Sequence, residues 1–158
     1  MHESVMAWVS EVVEKFELAD LPTLEVGSLD VNGSVRRYFS GPYTGLDMRQ
    51  GPGVDVIGTA DALPFPDESY DVVVCTEMLE HDPSPWLSLA EMGRVLRPDG
   101  HLILTTRGNG FFEHLEPSDY WRFMPAARPV LLALAGCDPV TLALDPQVPG
   151  VFAHGIKR

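Results

Sequence analysis

Thr23-Leu24-Glu25-Val26-Gly27-Ser28-Leu29-Asp30-Val31-Asn32-Gly33-Ser34 reads as a short apolar strand, a tight glycine turn and the opening of a helix over residues 34–39. In an α/β sheet such a turn lies outside the carboxyl end of a strand, where ligands bind at the point of topological reversal. Gly27 has no Cβ, so the backbone can take an otherwise forbidden angle and a ligand can approach it closely. Glu25 sets a carboxylate just before the turn, beneath the same crevice. An acid there suits a cationic or hydroxyl-rich ligand better than a bare phosphate. Asn32 and Ser34 are both N-cap types, and a helix opening there leaves N–H groups facing the crevice. Taken alone, the stretch fits an ordinary strand-to-helix turn equally well.

The residues that follow narrow the choice. Tyr43-Thr44-Gly45-Leu46-Asp47 is a second short strand, ending on an acid about twenty residues after the turn, the offset at which a carboxylate meets ribose hydroxyls in dinucleotide-binding folds. A third strand spans residues 54–57 after Gln50-Gly51-Pro52-Gly53. About six residues join these strands, too few for a crossover helix, so this side of the sheet should be thin. Asp61 stands at the next strand end, placed to meet an exocyclic amine of a purine between the apolar walls Leu63 and Phe65. Tyr70-Asp71-Val72-Val73-Val74-Cys75 is a near-continuous apolar run, as a central parallel strand covered on both faces requires. A helix over residues 86–96, terminated by Arg97-Pro98-Asp99-Gly100, leads to a fifth strand at residues 101–106.

Upstream, Val5, Trp8, Val9, Val12, Val13 and Phe16 recur at three- and four-residue steps, which predicts an amphipathic helix over residues 4–18. The 158 residues fit one domain, 1–158, opened by this N-terminal helix within residues 1–20 and carrying an aromatic loop at 107–123. No apolar run approaches the ~20 residues of a membrane span. Cys75 and Cys137 make no disulfide framework, so a cytoplasmic location without membrane partners is expected. The net charge of -12 argues against a nucleic-acid partner, which would need Lys and Arg on phosphates.

Four pieces in this order resemble a class I S-adenosylmethionine-dependent methyltransferase of the small Rossmann-like kind. They are residues 24–27 with the turn after them, Leu46-Asp47, Ala60-Asp61-Ala62-Leu63-Pro64-Phe65, and residues 71–81 followed by Arg94-Val95-Leu96-Arg97-Pro98-Asp99-Gly100. Asp67-Glu68-Ser69-Tyr70-Asp71-Val72-Val73 is close to the family's approach to its fourth strand, and Asp119-Tyr120-Trp121-Arg122-Phe123 recurs in one branch of it. The likeness covers residues 20–125. It implies a Rossmann-like α/β fold, mostly parallel with an antiparallel last strand. One departure is that Leu29 stands where the family's loop has its second glycine.

The resemblance further implies S-adenosylmethionine as cofactor and S-adenosylhomocysteine as product. Glu25 matches the acid reaching toward the cofactor's ammonium, Gly27 the glycine passing beneath the methionine portion, and Ser28 its neighbour. Asp47 matches the acid on the ribose hydroxyls, Met48 an apolar neighbour of adenine, and Asp61 and Ala62 the residues recognising the adenine ring. Cys75, Thr76 and Glu77 match the fourth-strand end lining the sulfonium region. Methyl transfer is an in-line displacement, so the protein mainly aligns nucleophile, methyl carbon and sulfur. A base is needed only for an acceptor that arrives protonated; His81 is the first candidate, then His114 and Tyr120. Glu77 and His81 lie four apart, yet Pro83 and Pro85 shorten any helix there and no second His or Cys stands nearby, so no metal is expected.

Phe111, Phe112, Tyr120, Trp121 and Phe123 in a glycine-bearing loop suggest an acceptor pocket or lid, with packing over the sheet end as the plainer reading for Trp121 and Phe123. A helix over residues 125–135 precedes strands at 140–144 and 151–156, joined by a six-residue turn that permits only an antiparallel hairpin. No appended domain is expected. A nicotinamide enzyme is disfavoured because Gly-x-Gly-x-x-Gly is missing. The expected function is methyl transfer to a small or carrier-tethered organic acceptor. The alternative is a non-catalytic cofactor-binding or scaffolding module on the same fold. Oligomeric state is open.

Overall fold

The computed structural model describes residues 2–113 and 117–158. Seven strands form one sheet in the order β3-β2-β1-β4-β5-β7-β6. They are β1 (Thr23–Val26), β2 (Tyr43–Asp47), β3 (Val56–Ile57), β4 (Tyr70–Thr76), β5 (Leu96–Arg107), β6 (Cys137–Leu144) and β7 (Gly150–Lys157). The first five run parallel, and β7 is antiparallel to both of its neighbours. The β6–β7 hairpin therefore supplies the reversed strand expected from the short connection. The sheet is thus mostly parallel with an antiparallel last strand, as the resemblance implies.

Alternation along β4 divides the core. Val72 and Val74 face helix α1 (Glu3–Lys15), joining Val5, Val9, Val12, Ile103 and Phe152 in one buried cluster. Val73 and Cys75 face the other way, where α2 (Pro85–Val95) and α3 (Arg128–Leu134) add Leu89, Met92 and Leu132. Two-sided cover explains why β4 is apolar at successive positions.

The half of the sheet around β2 and β3 is thin. Between β1 and β4 the only helical segment is a single 3-10 turn, Val35–Tyr38, where a short helix over 34–39 was expected. Ser34 caps it, its Oγ accepting from the Arg36 N–H at 3.1 Å. The N–H groups of Ser40 and Gly41 then donate to Ala19 O at 2.7 and 3.0 Å, turning the chain into β2 after one turn. Strand β3 is shorter than the expected 54–57, because Val54 N–H is used in a turn to Gly51 O. At the other end of the sheet, β5 begins at Leu96, directly after α2. Arg97-Pro98-Asp99-Gly100 forms an irregularity in its pairing with β4, with Asp99 at φ +63°, and does not precede the strand.

Helices α2 and α3 touch where Gly93 meets the α3 end: a Cβ at Gly93 would stand 2.2 Å from Ala135 O. Gly93→Ala should therefore force the two helices apart and destabilise the protein by about 1–3 kcal/mol, read as a lowered midpoint in urea unfolding.

Candidate functional site

Between β1 and β4 the winding of the sheet reverses, because β1 pairs with β2 on one side and with β4 on the other. The loops leaving these strands diverge and open a crevice at their carboxyl ends. Gly27 has φ +82°, and a Cβ there would come within 2.8 Å of Met78 Cγ, so the turn needs glycine for both conformation and space. The N–H groups of Gly27 and Ser28 donate to Leu46 O at 2.9 and 3.0 Å, holding the turn against β2. Asp47 closes this side: its carboxylate accepts from the N–H of Leu29 at 3.3 Å and of Arg49 at 3.0 Å.

Leu29 does not obstruct the turn. It leans over Gly51, where a Cβ would lie 2.3 Å from Leu29 Cδ1. The Leu29 side chain thus fills space that a glycine of the neighbouring segment leaves open. The Ser28 side chain fits because Gly45 beside it has no Cβ, and its Oγ is buried with no hydrogen-bond partner among the described residues. Thr76 Oγ1, at the end of β4, is a second buried hydroxyl in that condition.

Glu25 is buried, with 2% of its surface exposed, and its Oε2 accepts from Tyr43 Oη at 2.8 Å. Burial raises its pKa to about 7, against the lowering effect of the Tyr43 hydrogen bond and of Arg36. Across the crevice, Glu77 sits at φ +54° with its N–H on Thr105 O at 2.9 Å, and Thr105 Oγ1 donates to its Oε1 at 2.9 Å. Its other oxygen pairs with Arg107, which is 3% exposed and also reaches Asp145 on the β6–β7 turn at 3.3 Å. Cys75 is wholly buried in the core beneath α2 and α3, and burial pushes its thiol pKa up. Met48, Asp61 and Ala62 are exposed at the rim beyond β2 and β3. The loop carrying Asp61 and Ala62 is anchored through Leu63: its N–H donates to Glu91 at 2.9 Å and its carbonyl accepts from Arg94 at 3.0 Å.

On the acceptor side, the segment 117–123 is clamped to the end of β4. His81 Nδ1 lies 2.9 Å from Asp119 Oδ1 and 3.2 Å from Ser118 O. Asp119 Oδ2 accepts from Arg122 at 2.5 Å, and Arg122 also donates to the carbonyls of Phe112 and Trp121 at 2.8 Å. Glu80 is buried beneath: Thr106 Oγ1 donates to its carboxylate at 2.6 Å, and its carbonyl takes the N–H groups of Tyr120 and Trp121. Phe111 packs between Arg107 and Arg122, 4.6 and 5.8 Å from their guanidinium carbons. Trp121 donates to Asp82 O at 2.8 Å and meets Trp86 edge-on, so it serves as a brace, and Phe123 packs on the core. Tyr120 is 54% exposed. His114 lies outside the described residues. Beside this clamp, a groove of about 450 Å³ is bordered by Asn109, Phe123, Met124, Leu144, Val148 and Val151.

Glu25, Gly27, Ser28 and Asp47 thus stand together at the adjoining ends of β1 and β2, and Thr76, Glu77 and His81 follow at and beyond the end of β4, the other neighbour of β1. Sequence reasoning missed Tyr43, Arg107 and Asp145, whose partners lie 18 to 38 residues away. Among the described residues no three His, Cys, Asp or Glu side chains converge as metal ligands would.

Residues 24–104 match the methyltransferase domain family. The chain belongs to that family. Its fold is that of the class I S-adenosylmethionine-dependent methyltransferases, as the motif order led one to expect. A phthiotriol/phenolphthiotriol dimycocerosates methyltransferase of Mycobacterium ulcerans is 38% identical over 104 residues, which is 56% of this chain and 38% of that protein. This methyltransferase-family chain thus spans well under half the length of that curated relative. The 1,6-didemethyltoxoflavin-N1-methyltransferase of Burkholderia thailandensis, solved with that compound and S-adenosylhomocysteine bound, superposes with a TM-score of 0.81 at 19% identity, covering 98% of this chain and 79% of that one. The 4+2 cyclase SpnF shares the fold at TM-score 0.74 and 16% identity, over 96% of this chain and 80% of that one. Among the described residues no helix is long and apolar enough to cross a membrane.

Arg122 is the joint of the clamp, which yields a direct test. Arg122→Ala should leave the sheet folded yet loosen the segment 117–123, raising its cleavage rate in limited proteolysis about tenfold, the equivalent of ~1.4 kcal/mol of local stability.

Proposed function

We propose that the chain transfers a methyl group from S-adenosylmethionine to a small or carrier-tethered organic acceptor. The observation that carries this reading is the placement of Glu25 and Asp47 beside the Gly27 turn, with Glu77 beyond the end of the adjoining β4 and the buried hydroxyls of Ser28 and Thr76 without a hydrogen-bond partner among the described residues. That set fits the cofactor. Carboxylates suit an ammonium, a sulfonium and a ribose diol, and orphaned hydroxyls suit a polar ligand that completes their hydrogen bonds. Asp47 would hold the ribose, Glu25 the ammonium, and Asp61 with Ala62 the adenine edge.

When bound, S-adenosylmethionine supplies a methyl group activated by a positively charged sulfur. The protein's task is to align an acceptor and keep water out. The clamped segment 117–123 and the adjoining groove form apolar walls for such an acceptor. Asp119 and Ser118 meet His81 at Nδ1 and fix the ring beyond the end of β4, and an imidazole held there would be the base for an acceptor that arrives protonated. The relatives support a small or lipid-like acceptor by their names, and the net charge of -12 gives nucleic acid no electrostatic purchase.

A non-catalytic or differently reactive module is the second reading, favoured by Leu29 in a glycine position and by the shared fold of a cyclase. Calorimetric titration followed by an acceptor screen separates the two. Asp47→Ala removes two charge-assisted hydrogen bonds, so affinity for S-adenosylmethionine should fall about tenfold to a thousandfold with the fold intact. An unchanged dissociation constant would mean that Asp47 does not meet the ribose. With an acceptor in hand, His81→Ala should slow turnover by ~10²–10⁴ while cofactor affinity holds, and retained turnover would reduce His81 to a brace.

A further inference from the structure

Glu25 is the one carboxyl of the crevice that is nearly sealed from water, and its surroundings do little to keep it charged. Tyr43 Oη donates to it from β2 at 2.8 Å. Asp30, in the loop after β1, and Asp47, at the end of β2, both face it and disfavour a further negative charge. Arg36, on the 3-10 turn, is the cation within reach, and its guanidinium is already engaged. It pairs with Asp55 at 2.9 Å, donates to Tyr43 O at 3.4 Å and lies 5.0 Å from the centre of the Tyr43 ring.

We propose that Glu25 and Tyr43 form a proton-coupled receptor for the cofactor's ammonium: Glu25 holds a proton in the free protein and releases it as the ammonium arrives. The proposal rests on the methyl-transfer reading above and extends it to how the cofactor is told apart from uncharged analogues. A ligand without an ammonium gives Glu25 no reason to ionise. A ligand with one replaces the missing counter-charge, and the carboxylic proton leaves to solvent while Tyr43 Oη goes on donating to the carboxylate.

The sign of the pH dependence follows. The pKa of Glu25 in the free protein is raised from 4.5 to about 7, so this group's contribution to folding is full below 4.5 and is lost as pH rises through 7. Cofactor binding needs the ionised form, so its affinity runs oppositely, full above 7 and falling as pH drops. Between pH 7 and pH 6 the dissociation constant of S-adenosylmethionine should rise about fivefold, a window in which its ammonium stays charged.

Calorimetric titration at pH 6.5 in phosphate and in imidazole, whose ionisation enthalpies differ, counts the protons exchanged. S-adenosylmethionine and S-adenosylhomocysteine should each release a large fraction of one proton. Methylthioadenosine, which lacks the amino-acid portion, should release none. In Glu25→Gln the release should vanish, and Tyr43→Phe should move the midpoint of the pH dependence upward, because the hydrogen bond that favours ionisation is gone. Binding of S-adenosylmethionine without proton release, or release that persists in Glu25→Gln or with methylthioadenosine, would overturn the proposal. Should Glu25→Gln fail to fold, the comparison of S-adenosylmethionine with methylthioadenosine on the unaltered protein decides alone. No binding of S-adenosylmethionine at all would instead refute the methyl-transfer reading, and this proposal with it.

Discussion

The parallel pairing of β1 with two partners, β2 on one side and β4 on the other, is the constraint on which everything else hangs. Parallel neighbours cannot be joined by a tight turn, so each connection must cross the sheet and return. Because the crossings from β1 and from β4 lead in opposite directions, the carboxyl ends of these strands are left uncovered between them. The crevice is thus a by-product of strand order. What the sequence adds is its lining: glycine where the chain turns, and acids at three strand ends.

The two halves of the sheet are supported differently, and the division matches the work proposed for them. Around β4, β5 and β7, α1 lies on one face and α2 and α3 on the other, with β4 wholly buried from Val72 to Thr76. Around β2 and β3 the cover is one 3-10 turn and connecting loops. Ion pairs do there what helices do elsewhere: Arg36 joins the 3-10 turn to Asp55, and Arg94 with Glu91 ties the loop of residues 59–67 to α2. Under the proposed function, the well-packed half would hold the reacting geometry and the lightly covered half would admit the nucleoside.

Much of this could be read from the chain. Strands β1 and β2 fall at the residues where apolar runs end at Gly27 and Asp47, and α1 follows the stripe from Val5 to Val13. Those features are local, and period and punctuation report local structure well. The side-chain network was not legible. That Tyr43 reaches Glu25, that Arg107 bridges Glu77 and Asp145, and that Asp119 meets His81 are facts of register between segments far apart in sequence. The aromatic segment shows the same limit. Composition suggested an acceptor pocket or lid, with packing as the plainer reading for Trp121 and Phe123; it did not reveal that Arg122, a residue without any distinguishing local pattern, ties Asp119 to the carbonyls of Phe112 and Trp121.

The contact between Leu29 and Gly51 couples two positions that lie far apart in the sequence. A side chain added at 51 would have to push the tip of Leu29 aside, whereas a glycine at 29 would uncover the space that Leu29 now fills. Changes at the two positions should therefore not add: bulk at 51 costs less once 29 is small, and a small residue at 29 costs less once 51 carries bulk.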